Sequence, residues 1–368
     1  MAERTWAVIA GGGTAGHVLP ALSAAKALVA RGHSPESIHF VGSRRGLEAT
    51  LVPAEGFSVT LLPGRGIARR LTLDNVGAVF GLLGAVVQGL VLVFRLRPAV
   101  VLSVGGYASV PCALAAVVLR VPLVLHDQNA VPGLANRLAG RFARAAAVSF
   151  PGTPLPRAVV TGNPVRDEVR SVPGRATARA ALGLPDDRFV VGVFGGSLGA
   201  RSINRAVVGW AGRDDTVVYH VVGRRDWAEM STPVGPWHRP VEYEQRLPLL
   251  LAAADIVVCR AGGTTVAELA VVGVPAVLVP LPYAPGDHQT ANARALVDAG
   301  GAVLVRDDEL SPERLDAELS ALLASRLKLE SMADAARSVG VPDAADRLAA
   351  VVEAHARRCS GPSIRRSG

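Results

Sequence analysis

The chain has 368 residues, about two or three domains at the usual domain size, and its composition excludes a disordered protein. Half of the residues are hydrophobic but only 4% are aromatic, so the cores must consist mainly of Ala, Val and Leu. The formal net charge of +8 is carried by arginine, since Lys26 and Lys328 are the only lysines. A basic chain attracts phosphates, nucleic acids or anionic membranes, although a genome-wide bias toward arginine is an alternative source of the charge. No block of basic residues or RNA-binding signature is present, so nucleic acid is not expected as a partner.

The three cysteines, Cys112, Cys259 and Cys359, are far apart and lie in apolar or terminal contexts. This spacing predicts neither a zinc site nor a disulfide framework. A reducing cytoplasm is the compartment that fits such cysteine usage. The segment MAERTWAVIAGGG lacks the basic-then-apolar layout of a signal peptide.

Short apolar runs alternate with helix-length segments along the first half, which predicts βαβ units and a parallel sheet. The predicted strands of this half are Trp6–Ala10, Ser37–Val41, Ser58–Leu62, Val100–Val104, Leu123–His126, Ala146–Val148 and Val159–Thr161. The glycines and prolines of GNPVRDEVRSVPGR then mark a hinge.

The second half repeats the opening design of apolar strand, glycine turn and helix in FVVGVFGGSLGARSINRAV. Its further predicted strands are Thr216–Val222, Val241–Tyr243, Ile256–Cys259, Ala276–Val279 and Ala302–Val305. The predicted fold class is therefore α/β, with two doubly wound parallel-sheet domains at residues 1–163 and 164–341. Ligand is expected at the carboxyl ends of the strands, in the cleft between the domains. We expect a helix over residues 342–358 and a disordered tail at 359–368.

One apolar segment, Val76–Phe94, has the length of a membrane span, but it contains four glycines and a strand follows it directly. A spanning helix here would put two halves of one sheet on opposite sides of a membrane. We expect one or two helices, partly buried, with an exposed apolar face and a basic rim that suit a membrane surface. A fully buried core helix is the alternative. The predicted patch comprises Val76, Val79, Phe80, Leu83, Arg69 and Arg70.

Four turns that join a predicted strand to a predicted helix carry glycine, which lets backbone N–H groups approach an anion at the start of a helix. These turns are Gly11–Gly16, Gly105–Gly106, Gly195–Gly199 and Gly262–Gly263. Together they predict ligands rich in phosphate.

The first turn also fits the dinucleotide-binding pattern G-x-G-x-x-G through Gly11, Gly13 and Gly16, which makes an NADP-dependent oxidoreductase the alternative function. That fold uses an acidic residue at the end of the second strand to hold the ribose. Here the second strand, IHFVG, runs into SRR at 43–45. An arginine could accept the 2′-phosphate of NADP, so this alternative stays open.

Three further polar features each have a structural and a functional interpretation. Ser197 in GGSLG fits a hydrolase nucleophile elbow, but a hydroxyl donor to phosphate or a helix N-cap fits better because no triad spacing follows. Glu268 completes a T-x-x-E capping box with Thr265, or its carboxylate holds the ribose hydroxyls of a nucleotide. The residues HDQN at 126–129 follow an apolar strand and are either ligand-binding groups or loop caps.

In their order and context these motifs resemble the MurG family, the bacterial transferases that add N-acetylglucosamine to lipid I to make lipid II. The motifs, which extend from about Ala7 into the 340s, are GGGTAGHVLPAL, SVGGYASVP, LHDQNAVPGLANR, TGNPVR, VFGGSLGARSIN, VVCRAGGTTVAELA and VPLPYAPGDHQTANA. The resemblance implies a GT-B fold whose C-terminal helix crosses back onto the first domain. It also implies an inverting transfer from UDP-N-acetylglucosamine to the C4 hydroxyl of the muramoyl sugar, without a bound metal. The implied partners are UDP-N-acetylglucosamine, lipid I, an anionic membrane surface at the cytoplasmic face of the plasma membrane, and other cell-wall synthesis proteins.

The resemblance assigns most of the donor site to the second domain and the acceptor site to the first. The residues implied for UDP-N-acetylglucosamine are Thr14, Ala15, Gly16, Asn129, Arg166, Ser197, Gly263, Thr264, Thr265, Glu268, Gln289 and Asn292. Among them Arg166 and Ser197 would contact the diphosphate and Glu268 the ribose. Gln289 with Asn292 would bind the sugar hydroxyls. The residues implied for the acceptor pyrophosphate are Gly13, His17, Gly105, Gly106 and Tyr107.

The chemistry of such a transfer needs a stabilised diphosphate leaving group and a base for the attacking hydroxyl. Helix dipoles and Arg166 can stabilise the leaving group electrostatically, without a metal. His17 is the candidate general base because an imidazole titrates near neutrality. Binding the acceptor pyrophosphate is its alternative role.

Three positions depart from the family pattern. The first loop has Ala15 where glycine is expected, so the backbone there must have a φ that alanine tolerates. Glu244 stands where some relatives carry an apolar residue beside the uracil, which makes a side-chain contact there doubtful. His288 replaces an expected glutamine, which leaves Gln289 as the better candidate for the sugar.

Overall fold

The computed structural model describes residues 4–44, 46–63, 74–210 and 215–357, which form two compact units. Unit 1 contains the described residues up to Gln128, Pro132–Pro164 and the described residues from Asp343 onward. Unit 2 contains Asn129–Val131 and Val165–Pro342. Arg45, Arg69, Arg70 and the tail at 359–368 lie outside the described residues, so the expectations for them rest on the sequence.

Unit 1 is an α/β unit built on parallel strands. Its strands are β1 (Ala7–Ala10), β2 (Ile38–Ser43), β3 (Ser58–Leu62), β4 (Val100–Ser103), β5 (Leu123–Asp127), β6 (Ala145–Val148) and β7 (Ala158–Val160). Its helices are α1 (Ala15–Ala30), α2 (Glu48–Ala54), α3 (Asp74–Leu96), α4 (Val110–Val118), α5 (Leu134–Ala139) and α15 (Ala344–His355). Over the described residues the strands pair in the order β3-β2-β1-β4-β5-β6-β7.

Unit 2 follows the same plan. Its strands are β8 (Phe189–Phe194), β9 (Thr216–Val221), β10 (His238–Val241), β11 (Ile256–Cys259), β12 (Ala276–Leu278) and β13 (Ala302–Leu304). Its helices are α6 (Asp167–Arg170), α7 (Arg175–Leu182), α8 (Arg201–Trp210), α9 (Trp227–Met230), α10 (Leu247–Ala253), α11 (Gly263–Val272), α12 (His288–Ala299), α13 (Pro312–Leu323) and α14 (Arg326–Ser338). The described strands pair in the order β10-β9-β8-β11-β12-β13.

The two parallel sheets confirm the predicted α/β class. The central strands β1, β4, β5 and β6 are buried along their whole length. Parallel strands with helices on both faces are expected to be largely apolar, and these are, apart from Ser103, His126 and Asp127 at the carboxyl ends of β4 and β5. In each sheet the strand order reverses beside the first strand of the unit, which opens a crevice at the carboxyl ends where the glycine turns begin.

Helix α15 completes the core of unit 1 by packing against α1. Leu348 and Val352 are fully buried in the cluster that contains Leu28. At the surface of the same contact, Glu353 pairs with Arg31 at 2.7 Å. Unit 1 is therefore built from the beginning and the end of the described chain.

One predicted strand of unit 2 is displaced. The sequence predicted Val241–Tyr243, whereas β10 occupies His238–Val241 and includes Pro240. Proline has no N–H to donate and is tolerated only at a sheet edge. Because β10 is the edge strand of its sheet, its unpaired side accommodates Pro240.

The apolar segment Val76–Phe94 lies within the single helix α3. Leu83, Val87, Val91 and Phe94 occupy one face and are 57%, 60%, 43% and 59% exposed. The alternative of a fully buried helix is therefore wrong for the part of α3 whose side chains are described.

The predicted membrane patch is described only in part. Val76, Val79 and Phe80 lie in α3, but their side chains are outside the description. Of the helices in the described part of the chain, none combines the length and the hydrophobicity needed to cross a membrane.

Candidate functional site

The first glycine loop of unit 1 joins β1 to α1 and needs glycine for its backbone shape. Gly11, Gly12 and Gly13 have φ angles of +148°, +144° and +98°, a region that side chains rarely adopt. Helix α1 then begins at Ala15, which is not among the described non-glycine residues with positive φ. The alanine at this departure from the family pattern therefore costs no backbone strain.

The two glycine turns of unit 1 lie against each other. A Cβ atom built on Gly11 would be 2.7 Å from the carbonyl oxygen of Gly105, and one on Gly106 would be 2.7 Å from that of Gly12. Neither position could hold a larger residue without separating the turns. The structure thus brings together the two turns predicted for the acceptor pyrophosphate.

His17 lies in the first turn of α1 with its ring against the second glycine turn. Its Nδ1 is 3.0 Å from the hydroxyl oxygen of Thr14. A Cβ on Gly105 would be 3.4 Å from Cδ2 of the same ring. If Thr14 donates to Nδ1, Nε2 carries the ring proton; if Nδ1 donates, Nε2 is the acceptor nitrogen. The contact with Thr14 therefore sets whether Nε2 of His17 gives or takes a proton.

Three of the four residues in the HDQN motif are buried structural groups of unit 1. Nε2 of His126 lies 3.3 Å from Oδ1 of Asn163. Gln128 donates to the carbonyl oxygen of Val104 at 2.9 Å. Oδ2 of Asp127 accepts a backbone N–H from the following loop at 3.0 Å. These contacts favour the structural interpretation of the motif for all three.

Asn136, a buried residue of α5, was not predicted as a functional residue from the sequence. Its Nδ2 donates to the carbonyl oxygen of His126 at 2.9 Å and to Oδ2 of Asp127 at 3.0 Å. Because both partners accept, the orientation of the amide is fixed. Its Oδ1 is the one buried side-chain atom without a hydrogen-bond partner among the described residues. The neighbours of Asn136 come from a different element, so no local spacing identifies it.

An acidic side chain does reach the first glycine loop, although the sequence analysis found none after the second strand. Glu48 is 1% exposed, and its carboxylate accepts the N–H of Gly13 at 2.9 Å and that of Ser43 at 2.5 Å. The N–H of Gly13 is therefore not available to a dinucleotide pyrophosphate, and the NADP alternative gains no support.

The glycine turn after β8 in unit 2 exposes Ser197. A hydrogen bond closes this turn: the N–H of Gly199 donates to the carbonyl oxygen of Gly196 at 3.0 Å. Helix α8 begins only at Arg201, so Ser197 is neither its N-cap nor a nucleophile placed directly before it. The exposed hydroxyl is therefore consistent with a donor to phosphate.

Helix α11 begins without a side-chain cap, because its N-cap is Gly262. Gly263, Thr264 and Thr265 form the first turn. Such a helix start carries partial positive charge and attracts phosphate. The capping-box interpretation is wrong, because Thr265 and Glu268 both lie inside the helix.

Glu268 pairs instead with Arg166, the residue that precedes α6. The Nη2 and Nε atoms of Arg166 lie 3.1 Å and 3.3 Å from Oε1 of Glu268. Burial raises the pKa of Glu268, and the charge and hydrogen bond of Arg166 oppose that rise only in part. The residues predicted for the diphosphate and the ribose are thus in direct contact with each other.

Asn129, Gln289 and Asn292 form a polar group in unit 2. Asn292 is fully buried, donates to Oδ1 of Asn129 at 3.0 Å and accepts the N–H of Ala130 at 2.8 Å. Oε1 of Gln289 accepts two backbone N–H groups at 3.2 Å and 2.9 Å, so its amide NH2 is the donor end of the side chain. By its contacts Asn129 belongs to unit 2, although the sequence analysis placed it in the first domain.

Glu244 and His288, the other two residues that depart from the family pattern, both make hydrogen bonds inside unit 2. The carboxylate of Glu244 accepts from the hydroxyl of Tyr219 and, at 2.7 Å, from the N–H of Arg246. Burial acts to raise the pKa of Glu244, but these bonds outweigh it and lower the pKa. Nδ1 of His288 lies 2.9 Å from the carbonyl oxygen of Pro285 at the start of α12.

Within the part of the chain that the structure describes, no group of three or more His, Cys, Asp or Glu side chains could hold a metal ion. Cys112 and Cys259 are both buried. Burial raises the pKa of Cys112 to about 12 and also raises that of Cys259. These thiols therefore stay protonated and unreactive at neutral pH.

The buried His126 predicts a loss of stability in mild acid. Burial lowers its pKa to about 4, against about 6.5 in an unfolded chain. Between these pH values the unfolded chain binds a proton at His126 and the folded chain does not, so the free energy of unfolding falls. The stabilising contribution of neutral His126 is complete above pH 6.5, and about 3 kcal/mol of it is lost as pH falls to 4. The free energy of unfolding, measured with urea, should fall from pH 7 to pH 4. In His126→Gln this fall should be smaller than in the wild-type protein by the same amount. His355→Ala is the control, and a fall equal in all three proteins would contradict the prediction.

Two family models match the chain: the glycosyltransferase family 28 N-terminal domain over residues 7–148 and the C-terminal domain over residues 190–348. Relatives from Acidothermus cellulolyticus and Desulforudis audaxviator are 43% and 38% identical, and the matches cover 95% and 94% of this chain and 98% and 97% of the relatives. Both are named UDP-N-acetylglucosamine–N-acetylmuramyl-(pentapeptide) pyrophosphoryl-undecaprenol N-acetylglucosamine transferase. The crystal structure of MurG from Acinetobacter baumannii matches with a TM-score of 0.75 and 28% identity, over 96% of this chain and 100% of that chain. On these matches the chain belongs to glycosyltransferase family 28 and, within it, to the MurG family.

Proposed function

We propose that the chain transfers N-acetylglucosamine from UDP-N-acetylglucosamine to the C4 hydroxyl of the muramoyl sugar of lipid I, which forms lipid II for peptidoglycan synthesis. The observation that carries this proposal is the start of α11 after the glycine N-cap Gly262, on the helix whose Glu268 is paired with Arg166. The names of the relatives, which state the same transfer, support it.

The leaving diphosphate is bound by unit 2. In the transfer, the acceptor oxygen bonds to the anomeric carbon while the bond from that carbon to the β-phosphate oxygen breaks, and UDP leaves with the electron pair. The N–H groups of Gly263, Thr264 and Thr265 and the guanidinium of Arg166 stabilise the charge that develops on UDP. The exposed hydroxyl of Ser197 donates to the same diphosphate. A single displacement of this kind inverts the anomeric centre.

The ribose and the sugar are recognised by side chains of the same unit. Oε1 of Glu268 faces Arg166, so its other oxygen accepts from a ribose hydroxyl. The NH2 group of Gln289 donates to a sugar hydroxyl. Both N–H groups of the Asn292 amide are used within unit 2, so this residue acts by holding Asn129 for the sugar. Thr14, Ala15 and Gly16 of unit 1 also bind the donor sugar.

The acceptor is bound and activated by unit 1. Gly13, Gly105, Gly106 and Tyr107 contact the lipid pyrophosphate, since the two turns that contain them pack together. His17 takes the proton of the attacking hydroxyl through Nε2 while Nδ1 is held by Thr14. Binding of the pyrophosphate by His17 is the alternative that the kinetics below distinguish.

The exposed face of α3 attaches the protein to the cytoplasmic surface of the plasma membrane, where lipid I is presented. Leu83, Val87, Val91 and Phe94 form its described apolar part. The sequence adds Val76, Val79 and Phe80 to the proposed patch, with Arg69 and Arg70 as basic residues before the helix. Contacts with other cell-wall synthesis proteins at that surface are part of the same proposal.

The proposed function predicts that UDP is released from UDP-N-acetylglucosamine only when a lipid I analogue is present. His17→Ala should lower kcat by about 10²- to 10⁴-fold, the usual effect of removing a general base, with little change in the KM for the acceptor. A coupled assay for UDP release measures both parameters.

His355→Ala, which removes a histidine from α15, is the matched control and should keep wild-type turnover. Turnover with a different sugar nucleotide but none with this pair would contradict the proposed function. A rise in the KM for the acceptor with unchanged kcat would assign His17 to the pyrophosphate instead.

Membrane attachment through α3 predicts salt-sensitive sedimentation with liposomes that contain phosphatidylglycerol. Replacing Val87 and Phe94 together by serine should lower the bound fraction several-fold, because both side chains are exposed apolar groups on the contacting face. A matched pair of serine substitutions at exposed Val234 and Leu327 in unit 2 should leave binding unchanged. Equal losses in both double variants would contradict the assignment of α3.

A further inference from the structure

The carboxylate of Glu48 occupies a pocket whose walls are glycines. A Cβ atom built on Gly12, Gly42 or Gly46 would lie 2.5 Å, 2.1 Å or 2.1 Å from atoms of the Glu48 side chain. Any larger residue at these positions would displace the carboxylate. Glycines from the first loop, from β2 and from the turn after β2 therefore leave space for one glutamate side chain.

Two charge-assisted hydrogen bonds hold the Glu48 side chain in this pocket. Oε2 accepts the N–H of Gly13 at 2.9 Å, and Oε1 accepts the N–H of Ser43 at 2.5 Å. Bonds of this type are stronger than those between neutral groups. Glu48 is 1% exposed, so water does not compete for these N–H groups.

Ser43 extends the contact from Glu48 to the second glycine turn. Its hydroxyl is hydrogen-bonded to the phenolic oxygen of Tyr107, the residue that follows Gly106. One carboxylate therefore reaches Gly13 directly and Tyr107 through Ser43. These are the two turns that the proposed function assigns to the lipid pyrophosphate.

We infer that Glu48 is a positioning residue for the lipid-linked acceptor, an internal anion that fixes the first glycine loop and Tyr107 in the geometry that binds its pyrophosphate. This inference rests on the proposed function. Glu48 contacts neither substrate; it acts through Gly13 and Ser43. Because Glu48 holds Gly13 and, through Ser43, Tyr107, which are assigned to the acceptor, its loss should affect the binding of the acceptor more than that of the donor.

Glu48→Gln tests this role, since an NH2 group replaces one carboxylate oxygen and cannot accept the N–H that this oxygen accepted. The expected result is a rise of about tenfold in the KM for a lipid I analogue, with the KM for UDP-N-acetylglucosamine changed by less than about twofold. Steady-state kinetics with each substrate varied in turn measures both values. Glu55→Gln is the matched control: it removes an exposed carboxylate after α2 that pairs with Lys26 at 2.8 Å, and it should change neither value.

Ser43→Ala keeps the test decisive if Glu48→Gln does not fold. It retains the backbone N–H that Glu48 accepts and removes only the serine hydroxyl that is hydrogen-bonded to Tyr107. The KM for the acceptor should rise by about threefold with the donor KM unchanged. Equal changes in both KM values, or no change in either, would overturn the inference. Absence of turnover in the wild-type protein would instead contradict the proposed function, so the two failures are distinguishable.

Discussion

Backbone N–H groups in a glycine turn need an acceptor, and the turns of the two units meet this need in different ways. In unit 1 the carboxylate of Glu48 accepts the N–H of Gly13, which precedes the N-cap of α1, at 2.9 Å. In unit 2 the N-cap of α11 is Gly262, which has no side chain to cap the helix. The first glycine loop is thus fixed by a carboxylate of the chain itself, whereas the start of α11 is suited to an outside phosphate. The proposal that unit 2 binds the nucleotide rests on this difference.

The buried ion pair Arg166–Glu268 involves the same helix, since Glu268 belongs to α11. A buried ion pair is weak support for stability, because apolar residues of similar volume often serve as well. In the proposed function the guanidinium adds positive charge for a diphosphate, and the carboxylate offers a second oxygen for a ribose hydroxyl. Burial of Glu268 also strengthens any hydrogen bond that it makes, since the local dielectric is low. Ligand recognition explains the pair better than folding does.

The sequence predicted the parts of the structure that depend on local patterns. Apolar runs located the strands, and glycine located the turns, because both signals lie within a few residues. Glu48, Asn136 and the true start of α11 were missed or misassigned, since their roles depend on groups brought together by folding. Glu48 bonds to Gly13 across 35 positions of the chain, and Arg166 pairs with Glu268 across 102. The position of β10 was misjudged because Pro240 is acceptable only at an edge, and strand order is not a local property.

Hydrogen–deuterium exchange in the presence of UDP tests the central difference between the units most directly. The account predicts slower exchange at the amides of Gly263–Thr265 and around Ser197, where the proposed function places the diphosphate of UDP. It predicts unchanged exchange at Gly11–Gly13, where the carboxylate of Glu48 already occupies the loop. Protection of Gly11–Gly13 by UDP, equal to or greater than that of α11, would contradict the account.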